Sequence, residues 1–307
     1  MSFSLPLTLA SAGIGALVGL TGAGGGALMT PMLILFFSVK PSSAISSDLV
    51  ATLFMRPIGG AVHWRRGTVN FELVGWLALG SVPAAFAGAY LLHVFGGTAG
   101  AQVLVERLLG GALLLGAAGM LARQVLRPRR ATGMGAPSAS DGSLRRLATV
   151  AIGALGGVVV GATSVGSGSL MIVLLLWAYP GLAASSLVGT DLVQAIPLTA
   201  AAALGQLLFG HVALAVTSSL VLGSVPGVLV GSLLSSRAPD RLVRGGVTVA
   251  IVAAGLKYVG LPDIALLIGA GAVALAVVAL AFSNRGAVAV KGDPEAARLD
   301  EPAPSPG

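Results

Sequence analysis

The sequence has few charged residues and no cysteine. Of its 307 residues, 9% are charged and 55% are hydrophobic, whereas about 25% of the residues of a soluble domain are charged. Most of this chain must therefore face lipid rather than water. The absence of cysteine excludes disulfides, thiolate chemistry and cysteine-ligated metals. Walker and zinc His-Glu motifs are also absent, so we expect no enzyme, no metal site and no cofactor.

Long apolar runs recur along the chain and determine its fold class. A helix needs about 20 apolar residues to cross a bilayer, and in lipid only helices or closed barrels satisfy their own backbone hydrogen bonds. The runs are continuous rather than alternating, which excludes a barrel. The sequence thus predicts an all-α polytopic membrane protein. Its first residues contain no basic n-region, so we expect no cleaved signal peptide.

Two glycine-rich stretches interrupt apolar segments at corresponding places. The first glycine break, residues 19–29, reads GLTGAGGGALM, and the second glycine break, residues 161–171, reads GATSVGSGSLM. The motif LGSVP also occurs twice, at 79–83 and 222–226. These matches predict two repeats, each with a short, broken helix pair followed by three transmembrane helices. The short pairs are either re-entrant or full crossings.

The chain divides into five predicted segments. They are a first transmembrane repeat (1–126), a linker (127–146), a second repeat (147–260), an additional transmembrane helix (261–282) and a disordered tail (283–307). The net charge is +7, and five arginines lie in the linker. The positive-inside rule explains this charge without nucleic acid and places the linker and the tail in the cytoplasm. The two repeats are then inverted relative to each other, as in many secondary transporters.

The glycine breaks are candidate anion sites. A helix that restarts after a break presents free N–H groups and the positive end of its dipole, and glycine lets an anion approach the backbone closely. Two such ends that meet from opposite faces would form a site near the midplane. The alternative is that these glycines allow tight helix packing. The candidate substrate-binding residues of the breaks are Thr21, Gly24, Gly25, Gly26, Thr163, Ser167, Gly168 and Ser169.

The helix after the first break adds a polar face. Asp48, Thr52 and Arg56 are spaced four residues apart and share one side of a helix. Arg56 stays protonated and suits an oxyanion, so Thr52 and Arg56 are candidate substrate ligands. Gln194 is a further candidate, because it stands where the first repeat has Ala51. For Arg56, a salt bridge to Asp48 or snorkelling toward the membrane surface is the alternative.

Two aspartates match between the repeats, Asp48 in the first and Asp191 in the second. Intramembrane carboxylates are costly and usually mark a functional path. One interpretation is that they couple transport to protons or other cations. The alternative is that they cap their helices or the broken segments.

The repeated pattern resembles the TauE/SafE sulfite exporter family of membrane transporters over about residues 8 to 282. The resemblance lies in GLTGAGGGALMTPML with the Ser47-Asp48 helix, and in GATSVGSGSLM with Thr190-Asp191 and Gly210-His211. It implies a secondary transporter in a bacterial-type inner membrane that moves sulfite, a sulfonate or a related small anion outward, driven by a proton gradient or the membrane potential. An anion channel on the same frame is the alternative, and a hydrolase using Ser167 with His211 is a third. The expected partners are the small anion and the lipid bilayer, and a homodimer is left open.

Overall fold

The structure is a computed structural model. It describes residues 4–21, 25–65, 67, 69–96, 99–125, 141–168, 170–179, 182, 184–210, 212–234, 240–262, 264 and 267–275. The regular structure of these residues is helical, and no strand occurs among them. The predicted all-α fold class is confirmed.

Ten helices follow one another along the described ranges. They are α1 (Leu5–Thr21), α2 (Gly26–Phe37), α3 (Pro41–Arg65), α4 (Phe71–Gly96), α5 (Ala99–Val125), α6 (Asp141–Thr163), α7 (Leu170–Ala178), α8 (Ala184–Phe209), α9 (Leu214–Leu234) and α10 (Asp240–Val259). Residues 267–275, within the predicted additional helix, are also helical. Of the rest of that prediction, residues 261–262 are not helical and residue 264 is helical. Residues 263, 265–266 and 276–282 lie outside the described residues, as does the tail 283–307.

Helix α6 begins earlier than the sequence suggested. It starts at Asp141, so the last six residues of the predicted linker are helical. Arg146, on this added turn, makes an exposed salt bridge with Glu72 of α4 at 3.4 Å and lies over the ring of Trp76. Residues 126–140 lie outside the described residues, so the division into repeats and linker stays a prediction.

Several helices have the length and composition of membrane spans. In the described part of the chain there are five: Phe71–Phe95, Val103–Leu121, Arg145–Thr163, Gly189–Phe209 and Leu214–Leu234. Helices α1 and α2 are shorter and apolar. Helix α3 has 25 residues but is more polar, because it contains Asp48, Arg56 and several buried hydroxyls. Large apolar side chains such as Trp177 and Leu233 are exposed, which suits contact with lipid.

Two helix pairs each combine one helix of the first repeat with one helix of the second repeat. Helix α1 packs along α9, and its counterpart α6 packs along α4, the counterpart of α9. Glycines set both contacts: a Cβ added at Gly15 would lie 2.5 Å from the carbonyl oxygen of Ser224, and one added at Gly157 would lie 2.5 Å from that of Ser81. Gly157 and Ser81 occupy the positions that match Gly15 and Ser224. The packing therefore repeats residue by residue, whereas the inverted orientation of the repeats stays a prediction.

Helices α3 and α8 cross between these pairs. They contact each other, and α3 also packs on α9 while α8 packs on α4. Ser46 of α3 donates a hydrogen bond of 2.7 Å to the Oε1 atom of Gln206 on α8, and the Nε2 atom of Gln206 donates to the carbonyl oxygen of Gly161 at 3.2 Å. The crossing thus connects both repeats with the second glycine break.

Candidate anion-binding site

The two glycine breaks meet in the protein interior. A Cβ on Gly26 would overlap the carbonyl group of Ser164, so only glycine allows this approach. Ala27 and Val165 lie in the same buried apolar cluster. The sequence predicted that the two breaks would converge, and the structure brings them into contact.

The second break has an unusual backbone. Ser164, Gly166 and Gly168 all have positive φ, at 61°, 117° and 94°. Side-chain-bearing residues rarely adopt this region, and glycine adopts it freely. The chain then restarts as α7, whose Leu170 N–H donates to the carbonyl oxygen of Gly166 at 3.1 Å.

The first break restarts more simply. The carbonyl oxygen of Gly25 accepts hydrogen bonds from the N–H groups of Leu28 at 3.1 Å and Met29 at 2.9 Å. Gly25 precedes the first residue of α2 and supplies no side-chain cap. The positive end of the α2 dipole therefore lies beside the second break.

Asp48 joins the first repeat to the second break. Its Oδ2 atom accepts hydrogen bonds from the hydroxyl of Thr30 on α2 at 2.7 Å and from that of Ser164 at 2.8 Å. Its Oδ1 atom accepts from the hydroxyl of Thr52 at 3.2 Å. Asp48 is fully buried, and three donors compensate its lost hydration. Asp48 therefore holds the two breaks in register.

Arg56 reaches the second break from α3. Its side chain is 6% exposed, and its Nη2 atom donates to the hydroxyl of Ser167. Among the described residues, no hydrogen bond joins Arg56 to Asp48. Neither a salt bridge with Asp48 nor snorkelling describes this arginine, which lies inside beside the second break.

Two threonines at the helix ends bond their own helices. The hydroxyl of Thr21 donates to the carbonyl oxygen of Leu17 at 2.7 Å, and that of Thr163 donates to the carbonyl oxygen of Val159 at 2.6 Å. Each threonine is the last residue of its helix before a break, and the Thr163 hydroxyl also accepts a hydrogen bond from the N–H group of Val165 at 3.2 Å.

The remaining candidates are distributed unevenly. Gly25, Gly26, Thr52, Arg56, Ser167 and Gly168 lie at or beside the meeting point of the breaks, whereas Gly24 and Ser169 lie outside the described residues. Ser167 bonds Arg56, and His211, its partner in the hydrolase alternative, is likewise not described.

Gln194 points to a neighbouring helix. Its Nε2 atom donates to the hydroxyl of Ser81 on α4. The serine that matches Ser81 is Ser224, on α9 of the second repeat, and α9 packs on α3, where Ala51 stands at the position that matches Gln194. Within the described residues, the hydroxyl of Ser224 and the Oε1 atom of Gln194 have no hydrogen-bond partner although both are buried. The packing of the helices repeats between the two halves, but the residue at this position, Gln194 or Ala51, does not.

Sequence reasoning missed Thr30 and assigned no specific partner to Ser164. Both residues are polar at positions where the other repeat has a nonpolar residue. Ile172 stands at the position that matches Thr30, and Gly22 stands at the position that matches Ser164. A comparison of the two halves at polar positions therefore contained the signal.

The assembled site has the chemistry of an oxyanion receptor. It combines one buried guanidinium, the hydroxyl of Ser167 and the N-terminus of α2 in a region closed off by apolar packing. A guanidinium with five N–H donors binds oxyanions in a fixed planar geometry. The described side chains here include no nucleophile paired with a base, so this part of the site favours binding over covalent chemistry.

Comparisons with known proteins give consistent results. A sequence model of the family described as "Sulfite exporter TauE/SafE" matches residues 7–258. The chain is 38% identical over 261 residues to probable membrane transporter protein YjnA of Bacillus subtilis (strain 168), a match that covers 83% of this chain and 100% of that protein.

A second relative is more distant. Probable membrane transporter protein YdhB of the same organism is 25% identical over 253 residues, with 79% of this chain and 95% of that protein covered. No solved structure matches the chain.

Proposed function

The chain belongs to the sulfite exporter TauE/SafE family of membrane transporters, and from this premise we propose that it exports a small sulfur-containing oxyanion, either sulfite or an organosulfonate. The anion binds between the two glycine breaks. Transport follows alternating access, in which the site opens to one side of the membrane at a time. The membrane is the bacterial plasma membrane, with the linker and the tail in the cytoplasm.

One observation supports this proposal most: the Arg56 guanidinium is buried and bonded to Ser167 of the opposite repeat. Burying a cation is costly unless a counter-charge accompanies it, and a transport pathway is a common reason for such a charge inside a membrane protein. An oxyanion bound to Arg56 would contact both repeats at once. Movement of one repeat against the other would then open or close the site.

The ligand shell favours an oxyanion with several equivalent oxygens. Ser167 belongs to the second break and bonds Arg56, and the N-terminus of α2 belongs to the first break, so each break contributes donors. A tetrahedral or pyramidal sulfur oxyanion presents oxygens in several directions, whereas a carboxylate presents two in one plane. We therefore rank sulfite and sulfonates above carboxylates.

The glycine-lined pairs provide surfaces for the movement. In α1 with α9 and in α4 with α6, backbone meets backbone at Gly15 and Gly157, so few side chains interdigitate across either contact. Such contacts allow small sliding displacements of packed helices. Asp48 and Asp191 are the candidates for coupling this movement to an ion.

The test is Arg56→Ala, with Arg56→Lys and Thr199→Ala beside it. Thr199 occupies the matching position of the second repeat and donates its hydroxyl to the Ala195 carbonyl of its own helix at 2.7 Å. In proteoliposomes, sulfite flux should fall to the protein-free background in Arg56→Ala and should fall in Arg56→Lys, which keeps the charge but loses the planar fork. Thr199→Ala should transport normally.

Two readouts separate the outcomes. Thermal unfolding with sulfite, sulfoacetate, taurine and sulfate measures binding and folding together, and saturable counterflow distinguishes a carrier from a channel. Unchanged sulfite flux in Arg56→Ala would contradict the assignment of this arginine as the anion ligand.

A further inference from the structure

Three helices are joined by side-chain hydrogen bonds at the end of the bundle where α3 begins and α8 ends. The hydroxyl of Ser46, in the second turn of α3, donates to the Oε1 atom of Gln206, in the last turn of α8, at 2.7 Å. The Nε2 atom of Gln206 donates to the carbonyl oxygen of Gly161, in the last turn of α6, at 3.2 Å. Gln206 thus uses both polar atoms of its amide, one toward each of two other helices.

The residues Ser46, Gln206 and Gly161 form what we call the Gln206 bridge. Both side chains of the bridge are buried, so little water competes for the two bonds, and breaking them inside the protein leaves polar groups unpaired. The Ser46 hydroxyl also lies 2.9 Å from the carbonyl oxygen of Ser42 in its own helix, the longer of its two contacts. The bridge therefore stabilises the contact of α8 with α3 and α6.

The Gln206 bridge is next to the candidate anion-binding site. Gly161 lies three residues before Ser164, and Ser46 lies two residues before Asp48. Ser164 and Asp48 are themselves joined by a hydrogen bond of 2.8 Å. Arg56 is ten residues further along α3 than Ser46, which is about 15 Å along the helix axis. The bridge therefore lies between this end of the bundle and the proposed anion ligand.

The opposite end of the bundle is where α3 ends and α8 begins, because these two helices cross antiparallel. A Cβ added at Gly60, near the end of α3, would lie 3.0 Å from the Cδ1 atom of Ile196 in the first half of α8. Closer to the start of α8, the hydroxyl of Thr190 accepts a hydrogen bond of 3.0 Å from the backbone N–H of Asn70. This bond joins α8 to the connection before α4, and it does not tie α8 to two other helices.

The residues of the opposite end that match the Gln206 bridge cannot form it. The position that matches Ser46 is Gly189, and the position that matches Gln206 is His63. Glycine has no hydroxyl to donate, and histidine has no amide group. The two repeats therefore differ in the residues that would hold α3 and α8 together at each end.

The packing around two matching glycines differs in the same sense. Gly210 lies directly after α8, and a Cβ added there would overlap the Oε1 atom of Gln206 and lie 2.9 Å from the hydroxyl oxygen of Ser46. Its counterpart Gly67 is exposed, and among the described residues a Cβ added at Gly67 would meet nothing within 4 Å. The bundle is therefore tightly packed at the Gln206 bridge and loosely packed at the opposite end.

We propose that Gln206 is the positioning residue of a gate, which keeps the anion site closed at the end where α3 begins and α8 ends. This inference rests on the proposed alternating access. In the structure this gate is closed, and opening it moves the last turn of α8 away from α3 and α6 and breaks both bonds of the Gln206 bridge. Gln206 acts by holding these helices and not by touching the anion.

A gate and a purely structural contact respond differently when the bridge is removed. In alternating access the two ends open in turn, so a shift toward the state open at the bridge makes the opposite end less accessible. A purely structural contact has no such link, and its loss would loosen its surroundings without closing the opposite end. Accessibility measured at both ends therefore separates the two roles.

The absence of cysteine allows accessibility to be measured with single cysteines. Ser47→Cys reports on the bridge end and Thr190→Cys reports on the opposite end, since the two residues match between the repeats and both are buried. The hydroxyl of Ser47 has no hydrogen-bond partner among the described residues, so Ser47→Cys loses no bond there. In Thr190→Cys a thiol, which is a weaker acceptor, faces Asn70 in every comparison alike. Labelling uses a small, water-soluble methanethiosulfonate on the full-length protein in detergent, so the reagent reaches both ends.

Gln206→Leu is introduced beside each reporter, because leucine keeps much of the volume and removes both bonds. The ratio of the labelling rate at Ser47→Cys to that at Thr190→Cys follows the equilibrium between the two states, and we expect it to rise about tenfold, or about 1.4 kcal/mol. Ser46→Ala removes one of the two bonds and should raise the ratio less. Thr199→Ala, on the same helix as Gln206, removes a hydroxyl that bonds its own helix and should leave the ratio unchanged.

The labelling ratio decides the proposal. An unchanged ratio in Gln206→Leu overturns it, and so do rates that rise by the same factor at both reporters, because the bridge would then only stabilise the fold. Thermal unfolding checks that each variant is folded, and if Gln206→Leu is not, Ser46→Ala decides by the same criteria. The labelling needs no substrate, so its outcome is separate from sulfite flux, whose absence in wild-type protein would refute the proposed function instead.

Discussion

Gly26→Ala tests the contact between the two glycine breaks. The added Cβ would lie 2.6 Å from the carbonyl carbon and 2.7 Å from the hydroxyl oxygen of Ser164. Non-bonded carbon contacts are normally about 3.5–4.0 Å long. The carbonyl oxygen of Ser164 lies closer still, so the two breaks must separate by at least about 1 Å to accept the methyl group.

That separation breaks the hydrogen bond between Ser164 and Asp48. The bond is 2.8 Å long, and lengthening it by about 1 Å takes it beyond hydrogen-bond range. Ser167 lies on the same segment, so its contact with Arg56 is displaced as well. Misplacement of about 1 Å at a reacting site can lower a rate by about 100-fold, and we expect a comparable loss of sulfite flux. Overpacking should cost about 1–3 kcal/mol of stability.

Two other glycine substitutions serve as references. At Gly25 a Cβ would lie 3.3 Å from the Thr52 hydroxyl and 3.4 Å from the Met55 methyl group, and φ is −63°, so Gly25→Ala should fold normally. At Gly13 nothing lies within 4 Å, so Gly13→Ala should also transport normally. Flux in proteoliposomes and thermal unfolding in detergent are measured for all three.

The flux and stability of Gly26→Ala and Gly25→Ala together show whether these glycines act through packing or through contact with the anion. Gly26→Ala with wild-type flux and stability would refute the close contact of the breaks. Gly25→Ala with wild-type stability but no flux would show that the anion approaches the backbone at this residue. Loss in Gly26→Ala alone would show that the glycines of the first break matter through packing.

Three further predictions concern stability. Ser81→Ala removes the acceptor of the buried Gln194 amide and should lower the free energy of unfolding by about 1–3 kcal/mol; an unchanged Tm would contradict that bond. Gly157→Ala places a methyl group 2.5 Å from the Ser81 carbonyl oxygen and should cost about 1–3 kcal/mol, measured by thermal unfolding against wild type. Glu72→Ala breaks an exposed salt bridge with Arg146 and should change stability by less than about 1 kcal/mol, so a larger loss would show that this pair is more than a surface contact.

The fold class and the contact between the two glycine breaks could both be predicted from the sequence. Apolar length predicts helices, and matched glycines predict paired close approaches, because both are local patterns. The start of α6 at Asp141 was harder to predict, since Gly142 and Ser143 have linker composition, although an acidic residue at the first position favours a helix N-terminus.

Side-chain partners required the tertiary structure. A threonine in a helix can bond its own preceding turn, as Thr21 does, or reach another element, as Thr30 does toward Asp48. Local sequence does not distinguish these two cases, because the choice depends on what packs alongside. For the same reason Gln194 was expected at the anion and was found bonded to Ser81.

The pairing of α1 with α9 also determines when the helices of this protein can pack together during synthesis. Helix α1 is synthesised before α9, yet its glycine-lined face is filled by α9, about two hundred residues later in the chain. Contacts between residues so distant in sequence form late and slowly. During biogenesis α1 must therefore wait in the bilayer, or beside the insertion machinery, with its small-residue face unoccupied until α9 arrives. Truncations that end before α9 would leave the glycine-lined face of α1 without its partner helix.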